Sequence, residues 1–334
     1  MADLKLLEPA VATGVVQQMA LPDDFTWYGK VATTPLTQSE TAKWTVRRGS
    51  YNVAQPNTVD AEAHIAPRKG QHEVAAALVN SREKKVLPGS YLNFTQEFGE
   101  VNPQRETAEA LLLEEMTDLK GRVDRLVEWS LWQAVQGSLV FNTEDVSASV
   151  DYGFQASHKQ TAATGWDAAT QIEIVNQIRA IQKLVKRDAQ VNVTDAYLSQ
   201  ELMNLVFDSF AKNNSLNLLT EQAKQDFANG GTMRNFMGIN WHVVTETYNA
   251  EDGAQTLVDY LPENRIIFGN FSVNNPLKLA QGTSGDAQIG QFVTGPFSKS
   301  WDSQDPSGRT ILVGHNFLPV ITYPDQIVVL DATS

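Results

Sequence analysis

The chain has 334 residues, 42% of them hydrophobic and 19% charged, with no cysteine and a formal net charge of −13. The missing thiol excludes a disulfide framework, a thiolate metal site and a cysteine nucleophile, and the negative balance argues against sequence-specific binding to a polyphosphate backbone. A compact chain of this length buries roughly three quarters of its unfolded surface, so one large domain or two packed lobes can hold a core without metal or cross-link.

Met1–Ala20 carries a single lysine and no apolar segment of secretory length. No stretch reaches the ~20 apolar residues of a membrane span, and a soluble, cytoplasmic product is expected. In residues 1–38, Leu7, Val11, Val15 and Val16 suit a short amphipathic helix, against which Pro9 and Gly14 count. The segment reads as an N-terminal arm, with a small subdomain as the alternative.

Residues 39–102 read as extended. Thr45-Val46 and Tyr51-Asn52-Val53 are strand-like, breakers recur at Gly49, Pro56, Pro67, Gly70, Pro88 and Gly89, and the middle is polar. That is too long for an ordinary connection. A long β-hairpin with little core of its own accounts for it, and such a hairpin suits gripping a neighbour.

The clearest local signal follows. Asn102 suits a helix cap, Pro103 the first helical position and Gly137 the stop. Between them Leu112, Met116, Leu119, Val123 and Leu126 are spaced four, three, four and three, and the stripe continues through Val127, Leu131 and Ala134. This predicts a spine helix over 103–136, about 50 Å long at 1.5 Å per residue. Glu109, Glu114, Asp118, Lys120, Arg122, Asp124, Arg125 and Glu128 are assigned to its polar face, and Gly121 is its one weak helix former. Trp129 and Trp132, three apart, suit either burial or a shared contact.

Beyond the spine, Val140-Phe141 and Val146–Tyr152 predict a hairpin. A helix is expected over 168–187 on Ile172, Val175, Ile178, Ile181, Leu184 and Val185. A strand at 190–193 and a helix over 196–211, capped by Thr194 or Asp195, should follow, then a short helix over 220–228. The remainder reads as mostly β: 239–244, 265–269, a glycine-rich loop over 282–295, and strands at 310–313 and 326–330.

Enzymatic constellations are missing from this pattern. No two of His64, His72, His158, His242 and His315 have HExxH spacing, and no phosphate-binding glycine loop or nucleophile elbow occurs. His242 reads as a strand residue, His315 beside Asn316 as a turn residue, Asp302, Asp305 and Gly308 as a polar turn, and Glu114-Glu115 as a solvated face. The tryptophans do not alternate with basic residues as a single-strand platform would.

The order of arm, extended hairpin, spine helix, hairpin, mixed lobe and returning strands resembles the major capsid proteins of tailed phages. The fold is then α+β, the Hong Kong 97-like phage capsid fold, and more narrowly the chain is similar to the lambda-type major capsid protein E family. Four stretches carry the likeness. They are Ile65-Ala66-Pro67 with Gly70; Pro88-Gly89-Ser90-Tyr91-Leu92 followed by Val101-Asn102-Pro103; Leu261 to Asn270, reading LPENRIIFGN; and Phe317-Leu318-Pro319-Val320 with Tyr323 to Val329, reading YPDQIVV.

The resemblance implies an N-terminal arm (1–38), an extended loop with its flanks (39–102), a peripheral domain (103–159 with 306–334) and an axial domain (160–305). It implies hexamers and pentamers closing an icosahedral shell around double-stranded DNA, built in the bacterial cytoplasm, with a scaffolding protein, a portal and a decoration protein as partners. No cofactor, metal, membrane or catalytic residue is expected. Trp44, Arg47, Arg48, Arg68, Lys69, Lys84, Lys85, Trp129 and Trp132 are the candidate inter-subunit contacts. Lys69, Lys84 and Lys85 lie where some family members form a Lys–Asn cross-link, but no partner Asn or catalytic Glu stands out, so cross-linking is not expected. An encapsulin, a cellular compartment of the same fold, is the alternative.

Overall fold

The computed structural model describes residues 8–22, 25–35, 41–48, 71–88, 104–142, 147–212, 219, 221–229, 233–249, 257–272, 275–284, 293–304 and 307–333. In chain order its elements are α1 (Pro9–Gln18), β1 (Ala32–Pro35), β2 (Thr41–Arg47), β3 (Gln71–Ala77), β4 (Val79–Pro88), α2 (Gln104–Val135), β5 (Ser138–Asn142), β6 (Ser147–Asp151) and β7 (Lys159–Thr161). There follow α3 (Gln171–Ala189), β8 (Asp195–Ser199), α4 (Gln200–Lys212), α5 (Glu221–Ala228), β9 (Met233–Phe236), β10 (Ile239–Val244), β11 (Thr247–Asn249) and β12 (Leu257–Asp259). The chain ends through β13 (Arg265–Gly269), β14 (Leu277–Gln281), β15 (Thr283–Ser284), β16 (Val293–Thr294), β17 (Phe297–Gln304), β18 (Ser307–Ile321) and β19 (Ile327–Asp331). It divides into two compact units, residues 1–42, 75–131 and 278–320, and residues 43–74, 132–277 and 321–334.

The first unit is built on the spine helix. Leu112, Met116, Leu119 and Val123 of α2 meet Ala12 and Val16 of α1, Leu87 of β4, and Ile311 and Val313 of β18 in one buried cluster. Each such side chain contributes about 1.5–3 kcal/mol when fully buried. Strand alternation explains the choice along β18: Ile311 and Val313 face the helices, while Leu312 packs on the other side with Phe297. The sheet runs β1-β14-β18-β17, with β4 also on β18. β18 is much longer than the expected 310–313 because it is paired along its length, by β17 from Phe297↔Gly314 to Gln304↔Ser307 and by β4 from Val79↔Phe317 to Pro88↔Gly308.

Within the expected arm, residues 9–18 form a helix that packs in the first unit. Pro9 takes the first turn of α1, where its missing N–H costs nothing. The buried Thr13 hydroxyl donates to the Ser298 carbonyl at 3.0 Å and accepts the Ser298 N–H at 3.1 Å. Two buried apolar residues and this bonded pair outweigh the breakers.

The second unit centres on a six-stranded sheet ordered β7-β19-β13-β8-β10-β9, parallel at β7–β19 and β8–β10 and antiparallel elsewhere. One face, with Ala196, Leu198, Trp241, Ile266, Phe268, Val328 and Leu330, packs against Ile174, Ile178, Ile181 and Val185 of α3 and Leu202, Val206 and Phe210 of α4. α3 starts on a capping box between Thr170 and Glu173. Two expectations fail next to it. Residues 190–193 are not a strand, since Gln190 turns the chain with φ 56°. The strand is Asp195–Ser199, which had read as the start of a helix: Ala196 and Leu198 point to the helices and Tyr197 to the opposite face, as a pleat requires. α4 begins after it, and Ser199 Oγ accepts the Leu202 N–H at 3.2 Å as the cap.

β19 pairs β13 from Arg265↔Asp331 to Gly269↔Ile327, which sets the final strand in the six-stranded sheet of the second unit. The hairpin over 139–154 is present as β5 and β6, in register from Ser138↔Asp151 to Asn142↔Ser147.

Gly137 ends α2 as expected, with φ +100° and its N–H donated to the Ala134 carbonyl at 2.9 Å. A Cβ there would come within 2.8 Å of the Lys159 side chain and 3.1 Å of the Phe154 ring. Gly137→Ala should lower the unfolding free energy by about 1–2 kcal/mol in chemical denaturation, since it adds left-handed strain to that collision.

Candidate assembly surfaces

The nine candidate contact residues are placed very differently. In β2 the alternation buries Ala42, Trp44 and Val46. The Trp44 ring packs on Tyr152 with centroids 6.2 Å apart, so this side chain serves the interior of the second unit. Arg47 and Arg48 are exposed, and Arg48 donates to the Gly153 carbonyl at 3.0 Å. Arg68 and Lys69 lie outside the described residues. On β4, Lys84 is exposed, whereas Lys85 turns to the spine helix and bridges Glu115 and Asp118, the latter at 2.6 Å. Trp129 is half-buried. Trp132 is fully buried, edge-on to Tyr197 at 6.1 Å. The two tryptophans therefore do not form one exposed anchor. Among the described residues, the large apolar side chains left open are Val11, Val86, Leu113, Val140, Ile172, Leu257 and Val258.

The polar face assigned to the spine helix needs a correction. Lys120, Asp124 and Glu128, four residues apart, form a second buried stripe, at 4%, 1% and 0% exposure. Lys120 pairs with Asp124. The Glu128 carboxylate accepts the backbone N–H of Trp27 at 3.0 Å and of Tyr28 at 2.8 Å, and so ties the segment after α1 to the helix. Burial drives the Asp124 carboxyl above its ordinary range against the opposing pull of Lys120, and burial, with Asp124 second, drives the Tyr28 phenol up. A charged residue every fourth position is the pattern of a solvated face. Only the packing of Trp27-Tyr28 shows that here it faces inward.

His315 is likewise no turn residue. It sits in the middle of β18 opposite Ser81, fully buried, with ring contacts to Phe317 at 5.4 Å and Tyr28 at 6.4 Å. Neither ring nitrogen has a hydrogen-bond partner among the described residues. Burial, and secondarily the Lys120 charge, push its pKa down to about 3. His242 is a strand residue as expected, held by Asp195 at 3.0 Å and stacked on Tyr197 at 4.8 Å. His158, fully buried, contacts the Ile327 carbonyl at 2.9 Å and Asp188 at 3.1 Å. These histidines stand in separate structural networks, and no group of three or more His, Asp or Glu side chains able to hold a metal occurs among the described residues. No helix among them is long and apolar enough to cross a membrane.

Exposed on the strands and helices are cationic and apolar side chains, among them Arg47, Arg48, Lys84, Val86 and Ile172. The same fold is found in solved structures. The capsid protein assigned to a prophage of E. coli CFT073 superimposes with a TM-score of 0.60 at 14% identity, over 79% of this chain and 80% of that one. The capsid of Ralstonia phage GP4 gives 0.53 at 10% identity over 95% and 93%. The mature capsid of bacteriophage PhiM1 gives 0.51 at 12% identity over 94% and 89%. No curated protein matches the chain in sequence. These likenesses define the fold as the Hong Kong 97-like capsid architecture. The chain belongs to the family of phage major capsid protein E, whose model matches residues 11–332. It is a phage head protein that assembles with copies of itself into the virion shell, and the family match selects that reading over the encapsulin.

Proposed function

We propose that the chain is the repeating subunit of a tailed-phage head, arranged as hexamers and pentamers in an icosahedral shell around packaged double-stranded DNA. The observation that carries this is the family match over 11–332. The unit containing the spine helix suits the peripheral role, and the helix-covered sheet suits the axial one. Within residues 39–102, β2 and β4 are packed in the subunit through Trp44, Val46 and Leu87, and the breaker-rich sequence between β2 and β3 suits a loop reaching across a neighbour. Arg47, Arg48, Lys84 and Trp129, which are not fully buried, with Lys85 and with Arg68 and Lys69 from that loop, are the proposed contacts between copies. The work done is association and not turnover: apolar burial at about 25 cal/mol per Å² favours the shell, less the cost of ordering what each copy contributes.

The net charge of −13 favours a lining that holds DNA without reading it. Assembly in the host cytoplasm with scaffolding protein and portal, and reinforcement by a decoration protein, complete the reading. Expression alone and together with its neighbouring genes, followed by electron microscopy, tests it. Closed shells of uniform diameter are expected, and a protein that stays monomeric under both conditions would overturn it.

A further inference from the structure

Gly121 lies inside a 32-residue helix with ordinary helical backbone, where glycine is the poorest helix former after proline. Within the subunit nothing among the described residues accounts for it. A Cβ at this position would meet only the Arg125 guanidinium, at 3.7 and 4.0 Å, which is the far end of a flexible side chain. A mid-helix glycine with room for a side chain points to close approach from outside.

The space beside it is a groove of about 570 Å³ between the segment after α1 and the outer face of α2. Met19, Pro22 and Leu113 give it an apolar wall, and Glu114 and Asp118 stand at its lip. Asp124 reaches it from below. This carboxylate is almost completely buried; one oxygen is taken by Lys120, and Oδ1 has no hydrogen-bond partner among the described residues. A buried carboxylate oxygen without a donor is costly, and an incoming donor would remove that cost. Arg125 is the groove's own exposed cation, and its guanidinium, the far end of a long side chain, lies next to Gly121.

We propose that this groove receives a backbone segment of a neighbouring copy, laid over Gly121 and bringing an arginine or lysine to Asp124 Oδ1. The proposal rests on the shell reading above. A second copy fits because chains of net charge −13 repel one another on average, so their contacts must set cations of one against acids of the next. Glu114 and the spare Asp124 oxygen provide the acids, Asp118 being already paired with Lys85 and Arg122, and the apolar wall accommodates the aliphatic stem of a long cationic side chain.

The decisive variant is Gly121→Leu, which fills the groove while replacing a poor helix former by a good one. The unassembled variant should melt at or above the wild-type temperature, yet its particle yield should fall by about tenfold or more. Glu114→Lys, at an exposed position, should lower the yield in the same direction without changing the melting temperature. In parallel, p-benzoylphenylalanine is placed at Leu113 and particles are assembled from a mixture of isotopically heavy and light subunits. Heavy–light cross-linked peptides containing an arginine or lysine, present in particles and lost with Gly121→Leu, are expected. Cross-links confined to one subunit would overturn the proposal, because the groove would then be covered by its own chain, and so would capture of a different protein. If wild-type shells form and Gly121→Leu forms them equally well, the groove proposal is wrong while the shell reading stands. If wild-type protein forms no shells under any condition, the shell reading itself falls and takes the groove with it.

Discussion

Acidification from pH 6.5 toward pH 3 should destabilise the spine-helix unit by up to about 1.4 kcal/mol per pH unit, through His315 alone. The imidazole is buried between Tyr28 and Phe317 with both nitrogens unpartnered, and its pKa in the folded protein is pushed down to about 3. In the unfolded chain the ring titrates near its ordinary 6.5. Over that interval the unfolded state takes up a proton that the folded state refuses, so stability is fully present above the unfolded pKa and is lost as the pH falls. His315→Leu removes the uptake. At neutral pH the substitution should be close to neutral, because no hydrogen bond is broken and the site is already apolar. Urea titrations of both proteins at pH 7, 5.5 and 4.5 measure the effect, with the two proteins expected to be about equally stable at pH 7 and to diverge as the pH falls, the variant becoming the more stable. Asp118 and Asp188, held down chiefly by hydrogen bonds from Lys85 and Arg187, add acid-dependent losses of their own. Those losses are common to both proteins, so the difference isolates His315. Parallel acid slopes in wild type and variant would assign the proton uptake elsewhere.

Glu128→Ala should cost about 3–5 kcal/mol, because it removes the acceptor of two buried backbone donors. The carboxylate takes the N–H of Trp27 and of Tyr28, both of which are buried, and no water can replace it at a site with no exposure. Glu128→Gln keeps one acceptor oxygen but points an amide N–H at the other donor, and an intermediate loss of about 1–2 kcal/mol is expected. Guanidinium unfolding followed by tryptophan fluorescence reads both, with Trp27 itself as a reporter. A loss below about 1 kcal/mol for the alanine variant would mean that the Trp27-Tyr28 segment is held by packing and not by this carboxylate.

Elements with strong periodicity were legible from the residues alone. The stripe from Leu112 to Ala134 and the Gly137 stop locate the spine helix, and the alternation in 239–244 and 265–269 locates two central strands of the six-stranded sheet. Asp195–Ser199 was not legible, since five residues cannot distinguish a strand from the first turn of a helix, and the pairing with β10 and β13 decides it. The candidate contacts divide on the same ground. Arg47, Arg48 and Lys84 are exposed as their charge suggests, whereas Trp44 and Trp132 are taken by Tyr152 and Tyr197, partners remote in sequence.

By itself the amino-acid order determined the local elements, the family likeness and the absence of any thiol chemistry, because periodicity, breakers and motif order are properties of neighbouring residues. Which charged residues of the spine face inward, that His315 lies in a dry core, and that the last strand joins the six-stranded sheet were decided only by the tertiary structure. Burial is a property of what packs from far along the chain: Trp27-Tyr28 against Glu128 across a hundred residues of sequence, and β19 against β13. No local pattern carries that information.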